Sequence, residues 1–263
     1  MSVPPCLAAT SLGIPVFTHE SDLTPGLATR LNAKRADKIL VSWEKTLGYL
    51  PEAQRAKAAV VGNPVRAAIG NGDPAKGLAW LGFTPGLPLV LVLGGSQGAR
   101  QVNELIAAIL PELNGKARVA HQTGPGHEPC RPADSGYKGF EFVREEMADV
   151  LAAADIVIGR AGAGTLWEGA ASGKAMIFIP LAGSGNRGDQ VDNAELLAAA
   201  GAAICLTGAA ATPKTLIEAV LMLVGSAEKR AAMAMAAQRT ARPDAAAAIA
   251  EMILAHIHRE TTS

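Results

Sequence analysis

From about Gly86 onward the chain alternates short apolar runs with amphipathic, helix-compatible stretches. The runs Leu89–Leu93, Ala117–Gln122, Gly139–Val143, Ile156–Ile158, Ala175–Ile179 and Ala202–Leu206 read as strands, because a strand covered on both faces shows no polar alternation. Helical patterns at Ala99–Leu110, Met147–Ala154, Thr165–Ser172 and Gln190–Ala200 separate most of them. This rhythm predicts an α/β fold with a doubly wound parallel sheet, whose ligands sit at the carboxyl ends of its strands. Upstream, Pro4–Leu12 and Gly26–Lys34 read as helices, and Ile14–Thr18, Lys38–Ser42 and Ala58–Val61 as strands. Gly62-Asn63-Pro64-Val65-Arg66 breaks that pattern, and Gly70–Gly77 is polar and turn-rich. The expected layout is a partial α/β domain over residues 1–66, a linker over 67–85, a whole α/β domain over 86–241, and a closing helix over 242–263 that returns to the first domain. A nucleotide-binding α/β domain takes ~150 residues, so the first part is short of one.

Composition narrows the picture. The 263 residues carry 24 basic and 24 acidic side chains, and a net charge of zero argues against a general nucleic-acid binder. Cys6, Cys130 and Cys205 are far apart and odd in number, with neither metal spacing nor a disulfide framework, which points to a reducing cytoplasm. No apolar run reaches the ~18 residues of a membrane span, and no basic segment precedes an apolar run at the start.

The chemistry gathers where strands end. Leu93 runs into Gly94-Gly95-Ser96-Gln97-Gly98-Ala99 and then into helix. Free N–H groups and the positive end of the helix dipole make such a turn an anion site, and the glycines let a phosphate approach the backbone. The same letters fit a G-x-S-x-G nucleophile elbow at Ser96, the mark of a serine hydrolase. That reading lacks a third member: His121 and His127 come before most candidate acids, and His256 and His258 sit in the closing helix. Arg160-Ala161-Gly162-Ala163-Gly164-Thr165-Leu166-Trp167-Glu168 repeats the strand–glycine–helix design. There Thr165 is read as a cap, and Glu168, just inside the helix, as a carboxylate able to accept from a ribose diol. Asp189 and Gln190 follow the polar segment after Ile179 and suit either sugar hydroxyls or simple capping. No Asp-x-Asp pair occurs, so no metal is expected and backbone amides must carry a diphosphate's charge.

Taken in order, LGIPVFTHES (12–21), ADKILVS (36–42), GNPVR (62–66), GGSQGA (94–99), HQTG (121–124), RAGAGTLWE (160–168) and DQVDNA (189–194) resemble the MurG family of bacterial transferases. The resemblance implies the GT-B glycosyltransferase fold: a complete Rossmann-like doubly wound carboxyl-terminal domain plus a truncated Rossmann-like amino-terminal one. It implies an inverting, metal-independent transfer of GlcNAc from UDP-GlcNAc to lipid I, the undecaprenyl-diphospho-MurNAc-pentapeptide, in peptidoglycan synthesis. No cofactor and no nucleic acid are implied, and the location is peripheral, on the cytoplasmic face of the inner membrane. Arg30, Lys34, Arg35 and Lys38 suit such a surface and equally a solvated helix face.

Carried over by residue, Gly94, Gly95, Ser96, Gln97 and Gly98 bind the diphosphate with Arg66 near it. Arg144 serves the uracil through its backbone. Ala163, Gly164, Thr165, Leu166, Trp167 and Glu168 line the nucleotide, with Glu168 on the ribose. Asp189 and Gln190 hold the sugar, and Asp22 stands where the family has Asn. The family's glycine-rich opening loop with its His is not in this sequence, which leaves His19 as the candidate base. Roughly 100 residues of the usual first domain are then missing. The chain is accordingly expected to be a fragment, a start-site truncation, or one half of a split enzyme whose partner chain supplies the rest, binding UDP while transferring poorly. A non-catalytic UDP-binding module is the third reading beside transferase and hydrolase.

Overall fold

The structure is a computed structural model that describes residues 2–95, 98–129, 136–181 and 188–261. Two compact units emerge: residues up to Val65 together with those from Arg242 onward, and the continuous stretch Arg66–Ala241.

The first unit runs α1 (Val3–Ser11), β1 (Phe17–Glu20), α2 (Leu27–Asn32), β2 (Lys38–Val41), a 3-10 turn (Glu44–Tyr49), α3 (Glu52–Arg55) and β3 (Ala58–Val60), and includes the closing helix Ala245–Thr261. Its strands are parallel in the order β1-β2-β3, with Phe17 opposite Lys38 and Ile39 opposite Ala58. Ala33, Ala36, Ile39, Val41 and Leu50 form its core. β1 starts at Phe17 rather than Ile14. Pro15 has no N–H to give a ladder, and the Val16 N–H goes to the Asp37 carboxylate at 2.7 Å. Glu20, buried at the end of β1, accepts from the N–H groups of Asp22 at 3.2 Å and Gly26 at 2.9 Å and so closes the loop between them. The Arg242 guanidinium donates to the Val60 carbonyl at 3.1 Å, and His256 of the closing helix meets Phe17 edge-on at 5.3 Å.

The second unit opens with residues 67–85, which carry structure of their own: a 3-10 turn (Ala67–Asn71) and α4 (Pro74–Leu81). Asp73 caps α4 by accepting from the Ala75 N–H, and Gly82 ends it in the left-handed conformation at φ 73°. A Cβ on Gly72 or Gly77 would lie 2.1 or 2.2 Å from the carbonyl oxygen of Ala148 or Asp149, so only glycine permits this close packing against the helix at 147–153.

There follow β4 (Leu89–Leu93), α5 (Arg100–Leu113), β5 (Arg118–Gln122), β6 (Tyr137–Phe140), α6 (Met147–Ala153), β7 (Ile156–Gly159), α7 (Ala163–Ala171), β8 (Ala175–Phe178), α8 (Asp189–Ala199), β9 (Ile204–Cys205), α9 (Pro213–Val224) and α10 (Ala227–Thr240). Among the described residues the strands form one six-stranded sheet, β6-β5-β4-β7-β8-β9, with every pairing parallel. All residues of β4, β7 and β8 are buried, which explains their unbroken apolar sequences. Val90, Val92, Ile156, Ile158 and Ile177 pack with Val102, Ile106 and Ile109 of α5 and Leu216, Val220 and Leu223 of α9. Among the described residues no helix is long and apolar enough to cross a membrane.

Candidate functional site

Gln122, Leu93, Gly159 and Phe178 stand side by side in register across β5, β4, β7 and β8, and mark the carboxyl edge of the second unit's sheet. The helices that follow β4, β7 and β8 begin at that edge. None of their N-cap residues, Ala99, Gly162 and Gly188, makes a side-chain cap bond. By contrast Asp73, Thr212 and Ser226 cap α4, α9 and α10 with their own side chains. A helix start without a cap from its own N-cap side chain suits an anion, whose oxygens the first N–H groups can meet, and α6, which follows β6, starts in the same way at Glu146.

The turn after β4 is held from below. Gly95 and Gly98 have φ of 80° and 78°, and a Cβ on Gly98 would lie 2.6 Å from the Thr123 carbonyl oxygen and 2.8 Å from the His127 ring. Ser96 and Gln97 lie outside the described residues, so the elbow reading of Ser96 has no geometry here. His121 lies beneath this turn, fully buried, with Nε2 3.0 Å from Asn103 Oδ1 and Nδ1 3.1 Å from the Tyr137 hydroxyl. Burial pushes its pKa down to about 4. In the neutral ring Nε2–H donates to Asn103, and Nδ1 accepts from Tyr137. Asn103 in turn donates to the Thr123 carbonyl at 3.0 Å. With both nitrogens engaged in the core, His121 is unsuited to serve a hydrolase.

The α7 helix starts at Ala163 with Gly162 as its N-cap. Thr165 is thus its third residue and not a cap, and Glu168 stands in the second turn rather than the first; the glycine-rich approach to the helix hides its start. Leu166 and Trp167 bury their side chains in the core and can offer a ligand only backbone. The Glu168 carboxylate accepts from Nε and Nη2 of Arg66 at 2.7 and 2.9 Å. This hydrogen bond raises the Arg66 pKa, partial burial opposes it, and the charge of Glu168 adds to the rise.

Arg160, not singled out from sequence, donates from Nη1 to Gln101 at 3.2 Å and to the Ile179 carbonyl at 3.3 Å, so it braces β8 against the start of α5. Its half-burial lowers its pKa. Its place directly after β7 was the signal available. Asp189 and Gln190 open α8, and Gln190 Oε1 accepts from the Leu181 N–H at 3.0 Å. The Arg144 guanidinium lies 5.5 Å over the Phe142 ring. Among the described residues no group of His, Cys, Asp or Glu could hold a metal ion.

In the first unit, His19 Nε2 lies 2.9 Å from the Gly62 carbonyl oxygen and 3.5 Å from the Ser42 hydroxyl. A carbonyl only accepts, so the neutral ring carries its proton on Nε2 and Nδ1 is its basic atom. Asp22 begins the loop that Glu20 closes.

Residues 89–249 match the glycosyltransferase family 28 C-terminal domain, and residues 1–41 match the family 28 N-terminal domain. A relative from Treponema denticola, named UDP-N-acetylglucosamine–N-acetylmuramyl-(pentapeptide) pyrophosphoryl-undecaprenol N-acetylglucosamine transferase, is 44% identical over 229 residues, covering 82% of this chain and 59% of its own. A second enzyme of that name, from Bacillus cereus, is 38% identical over 87% of this chain and 64% of its own. The chain thus spans about three-fifths of the length of these relatives. Among solved structures, MurG of Acinetobacter baumannii superposes with a TM-score of 0.75 at 27% identity, over 96% of this chain and 70% of that one. UDP-GlcNAc 2-epimerase of Neisseria meningitidis bound to UDP-GlcNAc, at 16% identity and a TM-score of 0.64 over 96% of this chain and 72% of that one, shares the fold.

Proposed function

The chain belongs to glycosyltransferase family 28, and from that premise we propose that it serves the reaction of its MurG-type relatives, transfer of N-acetylglucosamine from UDP-GlcNAc to undecaprenyl-diphospho-MurNAc-pentapeptide. The observation that carries this reading is the row of helix starts at the carboxyl edge, uncapped by side chains, beside the Arg66–Glu168 pair.

The second unit holds the donor. The diphosphate lies against the Gly94–Ala99 turn and the start of α5, where amides and the helix dipole meet charge that grows as UDP leaves. Arg66 adds a positive charge, Glu168 accepts from the ribose hydroxyls, and Gln190 turns its amide to the sugar. The transfer is a single inverting displacement: the acceptor hydroxyl oxygen bonds to the anomeric carbon, the bond from that carbon to the diphosphate oxygen breaks, and a base takes the hydroxyl proton. Nδ1 of His19 is the basic atom assigned to that proton. A lipid-linked acceptor puts the protein at the cytoplasmic face of the inner membrane, bound peripherally.

Calorimetry with UDP tests the donor half, and the expected result is saturable heat; no heat at millimolar UDP overturns it. Transfer of labelled GlcNAc to a soluble lipid I analogue tests the whole reaction, with His19→Ala expected to slow it about 10²-fold or more. Labelling of Ser96 by a fluorophosphonate would instead support the hydrolase.

A further inference from the structure

Gln122 ends β5 with its side chain buried, and its Oε1 accepts the Val143 N–H at 3.1 Å. This bond ties the segment after β6 to the end of a strand next to the centre of the sheet. The Val143 side chain is itself 2% exposed, while Phe142 beside it is 44% exposed and carries the Arg144 guanidinium 5.5 Å above its ring. The segment is therefore held at Glu141, whose carbonyl and carboxylate accept from the N–H groups of Gly124 at 3.1 Å and Gly126 at 3.2 Å, and again at Val143, next to Arg144, by an apolar side chain and the peptide N–H that Gln122 takes, with Phe142 and Arg144 exposed on either side of it.

We propose that Gln122 is a positioning residue that sets which pyrimidine the nucleotide site accepts. The inference rests on the reading of the second unit as a UDP-sugar site with the backbone at Arg144 facing the base. Uracil and cytosine have the same ring, the same O2 and the same faces for stacking. They differ at N3, a donor in uracil and an acceptor in cytosine, and at the 4-substituent, an oxygen against an amino group. A main-chain N–H and C=O can tell them apart only when held in place, because a displaced peptide group loses one bond to uracil without losing contact with either ring.

The residues flanking Gln122 act elsewhere. His121 bonds to Asn103 of α5, and the Thr123 carbonyl lies against Gly98. One strand end thus braces the phosphate turn through His121 and Thr123 and the base side through Gln122. The two effects are separable: loss of the Gln122 bond changes base choice and leaves phosphate affinity alone.

The test is calorimetry of the full chain with UDP, CDP and inorganic pyrophosphate. Gln122→Met keeps the length and removes the acceptor; Gln122→Glu keeps an acceptor oxygen. The expected result is a UDP-over-CDP preference reduced about tenfold in Gln122→Met, as for loss of one good hydrogen bond, and largely kept in Gln122→Glu. Pyrophosphate affinity stays within about twofold in both. Should Gln122→Met fail to fold, Gln122→Asn, one methylene short of Val143, is expected to show the same loss of preference. An unchanged preference in a folded variant without the bond overturns the proposal, as does an equal fall for all three ligands, which marks a merely structural role. A wild-type chain that binds no UDP, or that binds UDP and CDP alike, instead overturns the UDP-sugar reading beneath it.

Discussion

Arg66 grips both carboxylate oxygens of Glu168, at 2.7 and 2.9 Å, although 102 positions separate the two residues in the chain. The pair joins the residue that opens the second unit to the helix that follows β7. A guanidinium has five N–H donors, and Glu168 takes two of them, so the same group can reach a phosphate while it holds the carboxylate in one orientation. Glu168→Ala is expected to weaken UDP binding about tenfold or more, the effect of losing hydrogen bonds to a charged acceptor. Arg66→Ala should weaken it comparably and flatten its dependence on salt. With the Arg66 side chain 54% exposed, neither change is expected to cost more than about 1 kcal/mol of stability. Calorimetry at two salt concentrations, with thermal melts alongside, checks both; UDP affinity unmoved by Arg66→Ala removes the arginine from the site.

Acid should loosen the second unit through His121. Its folded-state pKa, about 4, lies below the ordinary 6.5. Between those values the unfolded chain binds a proton that the folded chain refuses, so stability is complete above about pH 6.5 and falls as pH drops toward 4. The loss is on the order of 3 kcal/mol. Urea titrations from pH 7.5 to 4.5 should show it, and His121→Gln should flatten the profile by about one proton; an equally steep profile in the variant assigns the effect elsewhere.

Gly95 and Gly98 share a left-handed backbone but not a neighbourhood. A Cβ at Gly95 meets nothing within 4 Å, whereas one at Gly98 strikes Thr123 and His127. Asn tolerates this conformation, so Gly95→Asn should cost well under about 1 kcal/mol. Gly98→Asn should cost about 1–3 kcal/mol and displace the turn from its support. Parallel denaturant curves decide it, and equal losses at the two positions would contradict the packing described.

Removing the α4 cap offers a local probe. Asp73→Ala should cost about 0.5–2 kcal/mol in chemical denaturation. UDP affinity is expected to stay unchanged, since the Asp73 carboxylate bonds to the Ala75 and Lys76 N–H groups of α4 itself.

Much of the second unit was legible because its central strands are buried on both faces and their sequences say so: β4 runs from Leu89 to Leu93 as its apolar run does, and β8 departs from its own run by one residue. The edge strands were harder. β9 shrinks to Ile204–Cys205, since a strand with one neighbour keeps only the pairs its register allows. Helix α4 had its signals in plain view, Asp73-Pro74 at the start and Gly82 at the end, yet the polar residues around them suggested only a linker. In α7 the start lies two residues before Thr165 because Gly162 takes the N-cap position that a hydroxyl was expected to fill. The turn glycines and Glu168 could be picked out by chemistry at strand ends. The Arg66–Glu168 ion pair and the Gln122–Val143 bond could not, since each depends on which distant segments the sheet order makes neighbours.

The first unit is assembled from two stretches far apart in the sequence, with the segment from Arg242 onward packed among residues up to Val65. A ribosome releases that segment only after the whole of Arg66–Ala241. Arg66–Ala241 can mature during synthesis, whereas its companion must wait as an open sheet until translation reaches Arg242 and the closing helix. Premature termination just after Ala241 would yield a finished second unit tethered to an unfinished partner, and quality-control proteases should attack such a product from its amino-terminal side.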